Sequence, residues 1–315
     1  MVTDAQTIQT KKLSTPEYLS RFFFNHPRTV LILLLAVPLT WLIVFYVGPL
    51  LILALQSFFY IDDYSGTMVK QLSLNTYAEL FTPPNMEIVT RTVTMAAAVT
   101  LVDVLIAFPL AYYLGRFAKG RIKSLLYLGV LLPLWSSYLV RVYAWKLILS
   151  NEGIANWFFE VVHLTGVRDW LLSLPVVGGS SLSFSYLGMF MVFVYIWLPY
   201  MILPINAALE RVPRSLLDAS SDLGAKPGYT FRRVILPLVF PGIIAGSIFT
   251  FSLTLGDYII PTVIGNSSYF IGPVVNRLQG TSGNVPLAAA FTIVPITIMG
   301  VYLLLARRTG AFDAL

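Results

Sequence analysis

Apolar residues run along this chain in long blocks rather than in alternation with polar ones. Each block is long enough for a helix that crosses a bilayer. No Asp, Glu, Lys or Arg occurs from Thr29 to Ile61 or from Trp170 to Leu209, and about 20 apolar residues suffice to cross roughly 30 Å of hydrocarbon. The pattern predicts six spans: Val30 to Phe59, Thr92 to Gly115, Ser124 to Ile148, Leu187 to Ala207, Ile235 to Ile264 and Pro286 to Ala306. Proline falls within or at the ends of nearly all of them, at Pro38, Pro49, Pro109, Pro133, Pro199, Pro204, Pro237, Pro241, Pro261 and Pro295. Each proline removes an N–H and frees a carbonyl that a neighbour must satisfy. Kinked helices around a passage and simple bundle packing both fit that pattern.

Between the spans, Asp62 to Glu87 reads as a structured loop. In the segment from Asn151 to Val167, Ile154, Trp157, Phe158, Val161 and Val162 recur at helical spacing, which predicts a short surface helix along a membrane interface. The expectation is an all-α, polytopic membrane protein with six transmembrane helices.

Composition removes several alternatives. With 57% hydrophobic and 11% charged residues and a mean hydropathy of +0.77, the chain lies far from the roughly one-quarter charged composition of soluble domains. This argues against a water-soluble monomeric enzyme. The absence of cysteine excludes disulfides, thiolate nucleophiles and Cys-ligated metals, and His26 and His163 are too few for a histidine-rich metal centre.

A net charge of +6 points to nucleic acid in a soluble protein, but here the positions of the charges account for it. Lys11, Lys12, Arg21 and Arg28 precede the first span, and Arg116, Lys119, Arg121 and Lys123 follow the second. Arg211, Arg214, Lys226, Arg232 and Arg233 follow the fourth, and Arg307 and Arg308 follow the sixth. The alternate loops hold only Lys70, Arg91, Arg168 and Arg277. By the positive-inside rule both termini are expected in the cytoplasm. Residues 1–29 are too long and too mixed in charge for a signal-peptide prelude, so the first helix is expected to stay as an anchor. Tyr18, Leu19, Phe22, Phe23 and Phe24 in that tail allow a short interfacial helix or a disordered tail ending in an aromatic belt.

Four charges fall inside the apolar blocks: Asp103, Arg141, Lys146 and Asp257. At mid-depth such a group costs at least about 2.5 kcal/mol if it faces lipid, so each is expected to face protein, water or the interface. Asp103 is expected to make a structural hydrogen bond, and Lys146 to snorkel outward. Arg141 and Asp257, at matched depth, can form an ion pair, read equally as helix packing or as a solute contact. Trp135, Tyr138 and Tyr258 lie beside them, where aromatic faces can attract a cation or simply form an interfacial belt. Asp103, Trp135, Tyr138, Arg141, Asp257 and Tyr258 are therefore the candidate path or gate residues.

The connection from Ala208 to Leu238 carries a more specific signal. Pro213 can begin a helix, Arg214 can pair with Asp218 at i,i+4, and Gly224 can end the turn. The stretch resembles the EAA loop of bacterial ABC importer permeases, whose pattern is Glu-Ala-Ala, three residues, Gly, nine residues, Ile, one residue, Leu-Pro. Asp218, Ala219 and Ser220 take the first three places, Gly224 has the required spacing, and Val234, Leu236 and Pro237 complete it. Asp218 for Glu, Ser220 for Ala and Val234 for Ile are the departures. From about Ser73 to Arg308 the chain is similar to the MetI-like, binding-protein-dependent transport family. The stretches LNTYAELF (Leu74 to Phe81), Leu131 to Asn156 and LGDYIIPTVIG (Leu255 to Gly265) resemble spermidine/putrescine permeases of the PotB kind.

The resemblance implies a MetI-like transmembrane domain over residues 30–315, behind the cytoplasmic tail, in the bacterial inner membrane. It implies a coupling helix around Asp218 to Gly224 that docks on an ATPase, and Arg214 and Pro237 belong to the same coupling loop, about 208–238. The implied partners are a second homologous permease subunit, two ATPase subunits, a periplasmic or lipid-anchored solute-binding protein and membrane lipids. This chain has no GxxxxGK[ST] phosphate loop, so no cofactor is expected in it, and ATP and Mg belong to the ATPase partners. Permeases for opines, amino-acid-like compounds, phosphonates or ferric iron share the architecture. A secondary transporter using Asp103 or Asp257 for ion coupling is the competing mechanism, and it leaves the EAA spacing unexplained.

Overall fold

The computed structural model describes residues 23–24, 26–62, 64–175, 177–265 and 269–308. The interfacial helix expected around Tyr18 and Phe22 lies outside the described residues. The chain divides into two units, Met1–Leu55 and Gln56–Leu315. The described residues of the first are chiefly helix α1 (Pro27–Gln56), apolar on every side as a helix in lipid is. A π turn at Ile43–Val47 ends two residues before Pro49 and widens the helix where the proline cannot donate.

The second unit opens with a two-stranded antiparallel hairpin, β1 (Tyr60–Ile61) and β2 (Met68–Val69), and a short helix α2 (Asn75–Leu80). These structure the loop expected between Asp62 and Glu87. There follow α3 (Pro83–Arg116), α4 (Gly120–Trp135), α5 (Tyr138–Ile148), the short helices α6 (Ile154–Val161) and α7 (Thr165–Ser173), and α8 (Tyr186–Arg211). The remainder comprises α9 (Arg214–Asp222), α10 (Pro227–Gly256), α11 (Ile259–Val263), α12 (Ile271–Gly280) and α13 (Val285–Arg307). Among the described residues, five helices are long and apolar enough to cross a membrane, and six spans result if the bent pair α4 and α5 counts as one.

Helix α8 is the hub. Val192, Phe193 and Ile196 pack with Val99 of α3, Val142 of α5 and Ile260 of α11. Further along, Met201, Ile202, Ile205 and Leu209 meet Ala107 and Ala111 of α3, Val130 of α4 and Val239 of α10. Small alanines on the α3 face let the backbones approach, which is how helices gain packing energy where lipid is as apolar as they are. A third cluster joins Leu80 and Ile88 to Ile271, Val274 and Phe291.

Three expected spans need correction. The second begins at Pro83 rather than Thr92, because Glu87 and Arg91 interrupt the apolar pattern yet pair with each other one turn apart. The third is not one helix: α4 and α5 meet at 99°. Pro133 has no N–H to give the Gly129 carbonyl, the Ser136 hydroxyl donates to the Pro133 carbonyl at 2.8 Å, and the backbone at Ser136 is extended. The fifth ends at Gly256, and Asp257 is extended before α11 begins.

Candidate functional site

The two helix breaks meet in space. Tyr138, the first residue of α5, donates its hydroxyl to Oδ2 of Asp257. Oδ1 of Asp257 accepts the backbone N–H groups of Ile259 at 2.7 Å and Ile260 at 3.0 Å. Asp257 therefore caps the start of α11, where N–H groups have no helical partner. Gly272 of α12 presses on the same corner, since a Cβ there would lie 2.4 Å from the Asp257 carbonyl oxygen. The Tyr138 ring stacks on Trp197 of α8, with centroids 5.7 Å apart. Together they wall a cavity of about 320 Å³, completed by Ser252, Leu253, Gly256, Tyr258 and Ile259. Tyr258 is half exposed beside it. A carboxylate framed by aromatic faces offers a cation both a charged hydrogen bond and π attraction.

The expected pair of Arg141 with Asp257 does not form. The carboxylate is held by Tyr138, Ile259 and Ile260 instead, and Nε and Nη1 of Arg141 are buried without a hydrogen bond. The 99° turn explains the miss, since matched depth on straight helices does not survive a break. Trp135, 76% exposed, is not part of the cavity wall. Asp103 is fully buried, and among the described residues neither of its oxygens has a hydrogen-bond partner, so the hydrogen bond expected of it is not found there.

The 208–238 connection forms a compact turn. Pro213 precedes α9 in extended conformation, and Asp218, Ala219 and Ser220 lie within α9. Arg214 and Asp218 form no ion pair in the structure, contrary to the i,i+4 expectation. Gly224 has φ +74°, a conformation that only glycine adopts freely. Its N–H donates to Ser221, that of Ala225 donates to Ser220, and the Ser220 and Thr230 hydroxyls bond at 2.8 Å. Leu223 is 87% exposed at the tip. A π turn at Phe231–Ile235 precedes Pro237 as the other precedes Pro49. Among the described residues no cluster of three or more His, Asp or Glu could hold a metal ion.

Sequence reasoning missed Trp197, which no local signal separates from the other apolar residues of its run. It also missed a group of polar residues joining α4 to α8, although Glu210, the charge that ends the run beginning at Trp170, sits i,i+4 from Asn206.

Broken, proline-rich membrane helices around a polar corner, with a helical turn at a loop, are the architecture of a membrane transport subunit. The pattern described as "Binding-protein-dependent transport system inner membrane component" matches residues 103–310. The chain belongs to that family, and is the permease subunit of an ABC importer with a MetI-like fold. It is 52% identical to the inner membrane ABC transporter permease protein YdcU of Escherichia coli (strain K12), over 94% of this chain and 95% of that one. It is 30% identical to the spermidine/putrescine transport system permease protein PotB of the same organism, over 86% of this chain and 94% of that one. In fold it is similar to a chain of the bacterial alginate ABC transporter in complex with alginate pentasaccharide-bound periplasmic protein, with a TM-score of 0.70 and 16% identity, covering 93% of this chain and 98% of that one.

Proposed function

We propose that this permease passes a small polyamine of the spermidine/putrescine class across the bacterial inner membrane. A separate solute-binding protein delivers the solute. A second, homologous permease completes the path, and two ATPase subunits, which hold the ATP and Mg, drive the cycle from the 208–238 loop. Both termini and that loop face the cytoplasm, a reading supported by the basic residues Arg211, Arg214, Lys226, Arg232 and Arg233 around it. In this reading α9, with Arg214, Asp218, Ala219 and Ser220, is the coupling helix, and Gly224 and Pro237 set its exit.

The observation that carries the solute class is the Asp257 carboxylate at a corner framed by Tyr138, Trp197 and Tyr258, with the kinship to PotB as support. A primary ammonium can replace hydration with a charged hydrogen bond to Asp257 and an aromatic face. Asp103 and Trp135 have no such contact with the corner.

The test is uptake by the complex reconstituted with its own partners. Labelled putrescine or spermidine should accumulate with ATP and stimulate hydrolysis, while neutral and anionic solutes of similar size should not. ATP-driven uptake restricted to an anionic or neutral solute overturns the proposal. One observation favours a second reading. The partnerless nitrogens of Arg141, one turn from Tyr138, suit a solute bearing a carboxylate or phosphonate, such as an opine or amino-acid-like compound.

A further inference from the structure

On the side of the coupling loop, α4 and α8 run antiparallel and carry matching polar residues one turn apart. Lys123 Nζ donates to Oε1 of Glu210 at 2.7 Å. The Tyr127 hydroxyl donates to the same oxygen at 3.0 Å and accepts from the amide nitrogen of Asn206. Asn206 is buried. The Lys123 ammonium also lies 5.8 Å from the centre of the Tyr127 ring. Four side chains thus form one ladder between two helices, with Glu210 as the shared acceptor.

The surroundings make this ladder more than a surface decoration. Val130 is the one residue of α4 that is buried, so α4 has little apolar anchoring to α8 and depends on polar contacts at this end. Glu210 stands four residues before Arg214, where α9 starts. The link between the two helices is itself held, because Arg116 at the end of α3 donates to the Val212 carbonyl at 3.2 Å. At its other end α4 stops at Ser136 and Ser137, and the next residue, Tyr138, holds Asp257. Helix α4 therefore joins the base of the coupling loop to the corner that frames the candidate solute cavity.

We propose that Lys123, Tyr127, Asn206 and Glu210 are positioning residues that clamp α4 to the base of the coupling helix, so that a shift of α9 on the ATPase is passed along α4 to the Tyr138 and Asp257 corner. The clamp rests on the coupling role proposed above for the 208–238 loop. The α3 tether at Val212 keeps the linker from swinging freely, and Glu210 then delivers the displacement to Lys123 and Tyr127. A two-state element biased at both ends is what coupling between distant sites requires.

The test uses the full reconstituted complex and reads solute moved per ATP hydrolysed. Glu210→Gln keeps the shape and removes the charge; it should lower that ratio about fivefold or more, within the range of ordinary coupling energies, while co-purification with the partners stays unchanged. Tyr127→Phe should lower it less. The exchanged pair Lys123→Glu with Glu210→Lys should recover at least about half of the lost ratio, a rescue that mere packing does not predict. An unchanged ratio in both single variants, or an exchanged pair as impaired as Glu210→Gln, overturns the clamp. Gly224→Val serves as the reference. If it uncouples while Glu210→Gln does not, the clamp alone is wrong; if neither uncouples, the coupling role of the loop fails and the clamp falls with it.

Discussion

Asp257 and Asp103 are both carboxyls set in long apolar stretches of the chain, and their surroundings differ completely. Asp257 lies where α10 has ended and α11 has not yet begun, so unpaired backbone N–H groups are at hand, and it takes two of them together with the Tyr138 hydroxyl. Asp103 lies in the interior of α3, where each backbone N–H is already committed to the helix, on the face shared by Val99 and Ala107 between two apolar clusters. It has no partner for either oxygen. Here the break in the helix supplies the carboxylate with backbone donors, and the unbroken backbone around Asp103 supplies none. The broken backbone itself supplies part of the solvation of the Asp257 carboxylate, which the solute contact proposed above requires.

The largest effect expected from that difference is at Asp257. Asp257→Ala leaves the N–H groups of Ile259 and Ile260 and the Tyr138 hydroxyl unpartnered, at about 1–3 kcal/mol for each buried group. Uptake should fall to background, with the start of α11 loosened in hydrogen exchange. Full uptake in this variant would show that the cap has no part in transport. Asp257→Asn separates charge from cap, because an amide oxygen can still accept from Ile259 and Ile260. A charged hydrogen bond contributes about 1.5–3 kcal/mol, so polyamine uptake should drop about tenfold or more, with complex recovery retained. Uptake of a polyamine at the normal rate, measured at matched expression across ionic strength, removes the electrostatic role.

The 208–238 loop, proposed above as the coupling loop, is the next contrast, since what its Gly224 contributes is conformational rather than polar. A Cβ at Gly224 meets nothing within 4 Å, so any penalty comes from the positive φ alone. Gly224→Val should cost about 1–2 kcal/mol locally and uncouple hydrolysis from uptake, whereas Gly224→Asn, which tolerates that region, should stay close to normal. Equal behaviour of the two variants, in paired assays of ATPase rate and uptake, would exclude backbone geometry as the reason glycine stands there.

How much of this was legible depended on the kind of signal. The spans Leu187 to Ala207 and Pro286 to Ala306 became α8 and α13 nearly as read, because the blocks end in polar residues that also end the helices. The amphipathic spacing from Ile154 gave a helix at Ile154–Val161. The turn through Gly224 also folds as the spacing implied, because Gly224 permits the positive φ that the turn needs and Pro213 and Pro227 fix φ where the flanking helices begin. The 99° break after Trp135 was hidden, since hydropathy reports burial in lipid and says nothing of direction. Its only local marks were Pro133 and the pair Ser136 and Ser137. Once that break was missed, the Arg141 to Asp257 pair followed wrongly from depth alone, and Tyr138, next to the break, turned out to be the true partner. The ladder at Lys123 and Glu210 joins residues far apart in the chain, a kind of contact that no local pattern encodes.

The smallest effect is expected at Asp103, and it tests the other half of the contrast. A buried polar group without a hydrogen bond costs about 1–3 kcal/mol by mutational measure, and no partner is lost when the carboxyl is replaced. Asp103→Asn should therefore leave assembly intact, keep uptake within about twofold, and shift the melting temperature of the purified complex by no more than about 2–4 °C. Asp103→Leu, which fills nearly the same volume without polar atoms, should melt at the same temperature or higher, since replacing buried polar groups by apolar ones of similar shape is neutral or stabilising. The pair of variants reads two different things. A fall in melting temperature with Leu means that the carboxyl has partners in the assembled importer that this chain alone does not provide. Loss of uptake with Asn, in a complex of normal composition and stability, means that Asp103 acts as a charge at another stage of the cycle. In that case a helix interior would hold a working carboxylate without the broken backbone that supports Asp257.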